Sequence, residues 1–447
     1  MALDQTTVIL VMLGLMLLAI AAGVHIAFAF GVTAFLGNVL LYGGSQGDLA
    51  GGLDIALRGA GSVAYEYLRS EQFATIPLFI LLGDLVQRSG SASDLYNLIN
   101  RGLKAVPGRL AVATVAGNAV FAAVTGVSIA AAAAFSRVAY PQMRRCGYQR
   151  TFALGSVAGS ACLGMLIPPS VLLIVWGIIT EKSISKLFIA GAVPGLLLAG
   201  LFILYTIVWA VMRPDIAPKF PPDAKETALS RTEVVSALGI AALIVLVLGG
   251  IWGGLFTPNE AAGVGAMCAM LIGALKGMRL RQLFAAVVGA GATAAPIMFL
   301  LLTAAMYSKF LAAAGIADLL QETFAGLKLG STGIVVAIVV VWLLLGMIID
   351  SISIILLTVP IFAPVAEALG FDPIAFGIFG ILAIEAGLLT PPFGLLVYTV
   401  KASVEDTNVT LAEIFKGSVP YWLLMLVVMA LIWAFPGIAT WLPSVAH

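Results

Sequence analysis

Two stretches of this 447-residue chain put unusual backbone chemistry into apolar surroundings. Gly164-Met165-Leu166-Ile167-Pro168-Pro169 and Gly387-Leu388-Leu389-Thr390-Pro391-Pro392 lie 223 positions apart. Proline has no N–H, so each one removes an i→i−4 helix bond. Pro168 and Pro169 release the carbonyls of Gly164 and Met165. Pro391 and Pro392 release those of Gly387 and Leu388. At membrane depth such backbone persists only where protein buries it or a water-filled cavity solvates it. Two broken helices at matching places of two halves mark a transporter binding site. Other chemistry is sparse. The two histidines, His25 and His447, form no metal-spaced cluster with Cys or Glu, and no nucleophile–base pair is evident. A membrane-embedded enzyme is therefore the weaker reading.

The elements that must position these carbonyls are membrane helices. The chain is 61% hydrophobic and 10% charged, with a mean hydropathy of +1.10. Apolar runs of bilayer-spanning length recur throughout. An all-α polytopic membrane protein is expected. The net charge of +1 calls for no nucleic-acid partner. Cys146, Cys162 and Cys268 are odd in number and read as small apolar residues. Residues 1–23 lack a basic start and read as a first span, not a cleaved signal. The longest polar stretch, about Arg213 to Glu233, leaves no room for a soluble catalytic domain.

Taken in order, residues 5–24 and 26–43 read as spans, 53–72 as an interfacial helix and 73–87 as a span containing Pro77. Residues 88–109 read as a polar, basic loop. Residues 110–143 read as a re-entrant hairpin turning near Thr125-Gly126. Residues 151–181 form the first broken helix, and 186–212 return. Residues 213–231 are a linker. The second half repeats this order: spans 232–253 and 259–275, an interfacial segment 276–290, a span 291–310 with Pro296, a hairpin 331–366 turning near Asp350-Ser351, a broken helix 374–400 and a last span 418–441. With three residues inserted, the match continues from Gly191-Ala192-Val193-Pro194 to Gly417-Ser418-Val419-Pro420.

Each half then has five spans, one of them broken at Pro-Pro, plus one hairpin. The odd number inverts the second half, giving an inverted repeat of 1–212 and 232–447 about the 213–231 linker. Charge agrees. With 88–109, 137–150, 213–231, 276–281 and 401–416 on the cytoplasmic side, 17 of 23 Lys and Arg lie inside. Arg58, Arg69, Lys182, Lys186, Lys309 and Lys328 lie outside.

These motifs resemble the large membrane subunit of the tripartite ATP-independent periplasmic (TRAP) transporters. The matching stretches are Ile76 to Gly83, Gly164 to Ser170, Lys186 to Gly195, Thr257 to Ala261, Leu345 to Asp350 and Gly387 to Gly394, in the family's order. The resemblance implies a multi-pass protein of the bacterial inner membrane that works as a sodium-driven, elevator-type importer. Its implied partners are a small four-helix membrane subunit and a periplasmic binding protein that delivers a carboxylate-bearing organic anion. No cofactor beyond the coupling Na+ is implied. The moving elements would be the two hairpins and two broken helices, which lie within 73–181 and 291–400, and the scaffold the remaining spans and interfacial helices, including 1–72 and 232–290. By position, a first sodium site would use Ala122, Thr125, Gly164, Ile167 and Pro168. A second would use Gly346, Gly387 and Thr390. Here the first hairpin turn reads Gly126-Val127-Ser128 where the family often has Gly-Ser, and Ala122 offers only its carbonyl. A stand-alone carrier that needs no binding protein is the alternative; a channel fits the paired hairpins less well.

Further candidates for substrate contact or gating are Gly126, Ser128, Pro169, Asp350, Ser351, Glu385, Pro391 and Pro392. Asp350 is an intramembrane carboxylate that either functions directly or caps the second hairpin arm. Glu385 would orient the second break or help bind a cation. Glu260 reads as the end of a capping box, Asp84 as a solvated residue near a helix end, and His25 as packed or snorkelling. The arginines from Arg137 to Arg150 read as topology determinants.

Overall fold

The computed structural model describes residues 4–44, 47–218, 230–316, 319, 323 and 330–446. Most of the 213–231 linker therefore lies outside the described residues, as do Lys328 and His447. The helices are α1 (Gln5–Ala21), α2 (Ile26–Val39, continued as a π turn over Leu40–Gly44), α3 (Leu49–Arg69), α4 (Glu71–Arg88), α5 (Ser91–Gly102), α6 (Arg109–Thr125), α7 (Ser128–Arg145), α8 (Arg150–Ala161), α9 (Leu163–Leu166), α10 (Val171–Thr180) and α11 (Ile184–Met212). There follow α12 (Arg231–Trp252), α13 (Pro258–Leu275), α14 (Leu280–Ala313), α15 (Ser331–Gly346), α16 (Ser351–Ala368), α17 (Pro373–Gly387), α18 (Leu395–Ser403), α19 (Leu411–Ala434) and α20 (Gly437–Val445). Among the described residues there is no strand, and eight helical segments are long and apolar enough to cross a membrane. The protein is all-α and polytopic.

Local chemistry sets most boundaries. His25 caps α2, its side chain accepting from Ala27 N–H at 3.3 Å. Thr257 and Glu260 form a capping box with Pro258 at the first helical position of α13. α6 and α7 are the arms of the first hairpin, turning at Gly126, whose φ of 63° suits glycine. α15 and α16 form the second, with Asp350 capping α16 through Ser353 N–H at 3.0 Å. α8, α9 and α10 are pieces of one segment broken over residues 167–170. α17 and α18 are broken over 388–394. Both Pro-Pro bonds, Pro168–Pro169 and Pro391–Pro392, are cis.

Three expectations need correction. The loop expected over 88–109 contains α5, whose apolar Ala92, Leu95 and Tyr96 recur at helical spacing and are buried. The interfacial segment 276–290 and the span 291–310 are not separate. Nothing between Leu280 and Pro296 breaks the backbone ladder, so α14 runs 34 residues, about 51 Å at 1.5 Å per residue. In the first half the corresponding joint is real, because Ser70 adopts an extended conformation between α3 and α4. The last span is 411–434, not 418–441. It starts at a Thr410/Glu413 capping box and stops before Pro436.

The halves interlock through exchanged contacts. α2 packs on α14 and, in return, α13 packs on α4. α8 packs on α19 as α17 packs on α11, and α10 packs on α16 as α18 packs on α7. Trp176 of the first half is fully buried between Trp342 and Phe376 of the second, with ring centroids 6.1 and 6.0 Å away. Tyr421 of the second half stacks edge-on against Phe202 at 4.9 Å. Gly155 and Gly417 bring two backbones into direct contact, the kind of close approach that small residues allow between membrane helices.

Several ion pairs join segments that the charge rule places on one side. Asp94 binds Lys276 at 2.7 Å and Arg101 binds Glu233 at 3.1 Å. Arg150 reaches Asp406 at 3.7 Å and Glu413 at 3.9 Å. On the other face Lys309 binds Glu66 at 2.6 Å and Lys182 binds Glu367 at 3.0 Å.

Candidate functional site

Each hairpin tip is docked onto the break of its own half by one backbone bond. Val171 N–H donates to Gly126 O at 3.2 Å, and Gly394 N–H donates to Met347 O at 3.3 Å. The donors are 223 positions apart, the same offset as the two Pro-Pro motifs. Side chains are excluded at these joints. A Cβ on Gly164 would meet Ser128 N and Cα at 3.0 Å. One on Gly346 would lie 2.7 Å from Gly387 Cα. One on Gly126 would meet Pro169 O at 2.5 Å.

The residues of the first expected ion position come together where α6 meets α9. Ala122 O accepts from Gly126 N–H at 3.0 Å and retains a second lone pair. Thr125 donates its hydroxyl to Phe121 O at 2.9 Å, which leaves its own lone pairs available. Ile167 is extended and its N–H returns to Leu163 O at 2.9 Å. Gly164 O receives no hydrogen bond among the described residues, as Pro168 requires. Met165 O is not left open, because Ser170 donates its hydroxyl to it at 2.5 Å.

The second position differs. Pro391 releases Gly387 O, but Thr390 fills it with two donors, its N–H at 3.0 Å and its hydroxyl at 2.7 Å. Thr390 is 5% exposed. Its hydroxyl oxygen keeps its lone pairs, and Gly346 and Gly387 meet backbone to backbone beside it. Ile167 holds the place of Thr390 in the first half and has no hydroxyl, and the Ser170 hydroxyl goes to Met165 O, so Gly164 O stays open.

Glu385 lies on α17, 1% exposed, and accepts from the Ser351 hydroxyl at 2.7 Å. Asp350 is taken up by capping α16 and also accepts from the Ser353 hydroxyl at 2.5 Å.

Sequence reasoning missed a cavity of about 270 Å³ between α4, α14 and the first tip. α4 contributes Gly83, Asp84, Gln87 and Arg88; α14 contributes Thr293; Thr125 and Val127 come from the hairpin. Asp84, expected to be solvated alone, pairs with Arg88 at 2.7 Å. Their i,i+4 spacing was the available signal. A second cavity of about 630 Å³ opens at the start of α4, lined by Ser70, Thr75, Glu181, Lys182 and Asn259 among others. No group of His, Cys, Asp or Glu among the described residues could hold a divalent metal.

Residues 13–438 match the family described as tripartite ATP-independent periplasmic transporter, DctM component. The chain is 30% identical to the ectoine TRAP transporter large permease of Halomonas elongata over 99% of both chains. It is 32% identical to the C4-dicarboxylate TRAP transporter large permease of Pseudomonas aeruginosa, covering 89% of this chain and 93% of that protein. A sialic acid TRAP transporter large permease of Vibrio cholerae is 30% identical, over 83% and 85%. In fold the chain resembles the YdaH transporter of Alcanivorax borkumensis, with a TM-score of 0.63 at 16% identity over 88% of this chain and 89% of that one. Matched along nearly its whole length by the family pattern and by these large permeases, the chain belongs to the DctM component of the tripartite ATP-independent periplasmic transporters.

Proposed function

We propose that the chain is the translocation subunit of a sodium-coupled importer that moves a small carboxylate-bearing organic anion by an elevator mechanism. The observation that carries this reading is the repeated docking of a hairpin tip on a broken helix, with Gly164 O open beside it. Neutral carbonyl and hydroxyl oxygens suit a monovalent cation that must bind and then leave. Sodium would meet Ala122, Thr125, Gly164, Ile167 and Pro168 at one position, and Gly346, Gly387 and Thr390 at the other. The anion would occupy the 270 Å³ cavity, its carboxylate against the Arg88 guanidinium and its polar groups against Gln87, Thr125 and Thr293. Ions there order the first tip, and the tip forms one wall of that cavity, which links the two cargoes.

The moving body would be the two hairpins with the two broken helices. The long α14, α4 and the amino-terminal helices of each half would stay with the bilayer and dock a small membrane subunit. A periplasmic binding protein would deliver the anion. The family's description supports a multi-component transporter; ectoine, C4-dicarboxylates and sialic acid are named for the relatives.

The test is uptake into proteoliposomes holding this chain, its small subunit and the binding protein encoded beside it. A panel of radiolabelled organic acids is offered with and without an inward sodium gradient. Uptake that needs both gradient and binding protein supports the reading. Uptake without the binding protein indicates a stand-alone carrier, and uptake driven by protons alone overturns the sodium positions.

A further inference from the structure

We propose that Glu385 is a positioning residue that fastens both hairpin tips to one point, so that an ion ordering one tip also orders the other. This rests on the sodium reading of the two positions above.

The geometry is specific. Ser128 and Ser351 occupy the same place in the two hairpins, the first residue of the returning arm. Both are buried, Ser128 fully and Ser351 to within 5%. Glu385 Oε1 accepts from Ser351 at 2.7 Å. Glu385 Oε2 has no hydrogen-bond partner, nor does the Ser128 hydroxyl. That hydroxyl neighbours the same carboxylate. Two serines, each with one proton to give, thus flank one group with two accepting oxygens. The Glu385 carbonyl in turn accepts from the Cys162 thiol at 3.7 Å. Cys162 holds in the first broken helix the place that Glu385 holds in the second, 223 residues on. One residue therefore touches the first broken helix, the second tip and the surroundings of the first tip.

Each contact leads to an expected ion position. Ser128 lies against Gly164, and Glu385 sits two residues before Gly387, which is pressed against Gly346. Holding Ser351 takes one polar atom, and the end of the Glu385 side chain carries two. The second, Oε2, is unpaired, and Ser128 of the first half neighbours the carboxylate. Drawing Ser128 toward Oε2 fixes the side chain that Ser351 must meet at Oε1. Coupling of two sites through a shared ordered element is reciprocal.

Equilibrium binding of radioactive sodium to the full chain with its membrane partner, held in nanodiscs, tests this. Wild type is expected to bind with a Hill coefficient above one. Glu385→Ala is expected to bind the same number of ions without cooperativity, its midpoint raised about tenfold, a typical size for coupling between sites. Glu385→Gln is expected to restore the steep curve, since its amide can bond both hydroxyls. Ser128→Ala and Ser351→Ala are each expected to give the shallow curve, and serve if Glu385→Ala does not fold. A Glu385→Ala curve that superimposes on wild type overturns the proposal, as does loss of one bound ion, which would make Glu385 a ligand. Absence of sodium binding by wild type would overturn the sodium reading itself.

Discussion

The hydroxyl of Thr390 donates one bond, to Gly387 O, and keeps its lone pairs, which the proposed sodium position would use. Thr390→Ala should therefore raise the sodium concentration for half-maximal uptake about tenfold, the cost of one charge-assisted oxygen contact. Thr390→Ser should stay close to wild type. A sodium titration of uptake checks both, and an unchanged midpoint in Thr390→Ala would remove the residue from the site. Gly346→Ala tests the joint itself. The new methyl would sit 2.7 Å from Gly387 Cα, where backbone cannot yield as a side-chain tip does. Overpacking of that kind costs about 1–3 kcal/mol, so the purified variant should melt several degrees lower. At this scale much was readable in advance. Pro168 and Pro391 announce freed carbonyls because proline lacks an N–H. What becomes of those carbonyls was not readable. Whether Thr390 or Ser170 turns back on them depends on local torsions, and in one half Gly387 O is filled while in the other Gly164 O is not.

Elements show where side chains from distant segments share one charge. The loop between α18 and α19 is anchored by Asp406. Partial desolvation would raise its carboxyl, but Asn408 N–H, the Tyr140 hydroxyl and the Arg150 and Arg144 guanidinium groups outweigh that and hold it below its usual value. A depressed value in the folded state adds stability above the unfolded value, which is lost as pH falls through the folded one. Wild type should thus lose melting temperature as pH drops through and below the usual carboxylate range. Asp406→Asn should start lower at neutral pH and fall less. Parallel curves would show that the group is not linked to folding. The capping box at Thr410/Glu413 starts α19 seven residues before the apolar run suggested, since polar first turns hide a helix from hydropathy. α5 was hidden in the same way by Ser93, Asp94, Asn97 and Arg101, polar side chains of which Asp94 and Arg101 find partners in the second half. The continuity of α14 was obscured by analogy with the first half, where Ser70 breaks the chain and no second-half residue does so.

At the scale of the whole molecule, orientation rests on charge. Lys104 and Lys186 fall on opposite sides by the distribution of Lys and Arg, and both are exposed. In a variant without Cys146, Cys162 and Cys268, Lys186→Cys should react with an impermeant maleimide in intact cells. Lys104→Cys should react only after permeabilisation. The reverse pattern would invert the protein in the membrane. The repeat was legible because two Pro-Pro motifs and, three residues out of step, a Gly-x-Val-Pro match recur in the same order. The interlock was not, because Trp176 finding Trp342 or Tyr421 finding Phe202 is a matter of three-dimensional fit. Nor was the 270 Å³ cavity, whose walls come from residues as distant as Gly83, Thr125 and Thr293.

The two cavities approach α4 from opposite ends, one reaching Thr75 and the other Ile80. Only five residues of rise, about 7.5 Å, separate those levels. Charged side chains partly open to solvent, Arg88 at one cavity and Glu66 at the other, line them. Were both filled with water, which conducts far better than hydrocarbon, the transmembrane voltage would fall mainly across the short stretch between them. A cation crossing that stretch would sense most of the potential while travelling a fraction of the bilayer, worth about 2.3 kcal/mol per elementary charge per 100 mV. If more positive than negative charge enters per cycle, an inside-negative potential set by a potassium ionophore should accelerate uptake at fixed sodium gradient. An unchanged rate would mean that the cargoes cross electrically balanced.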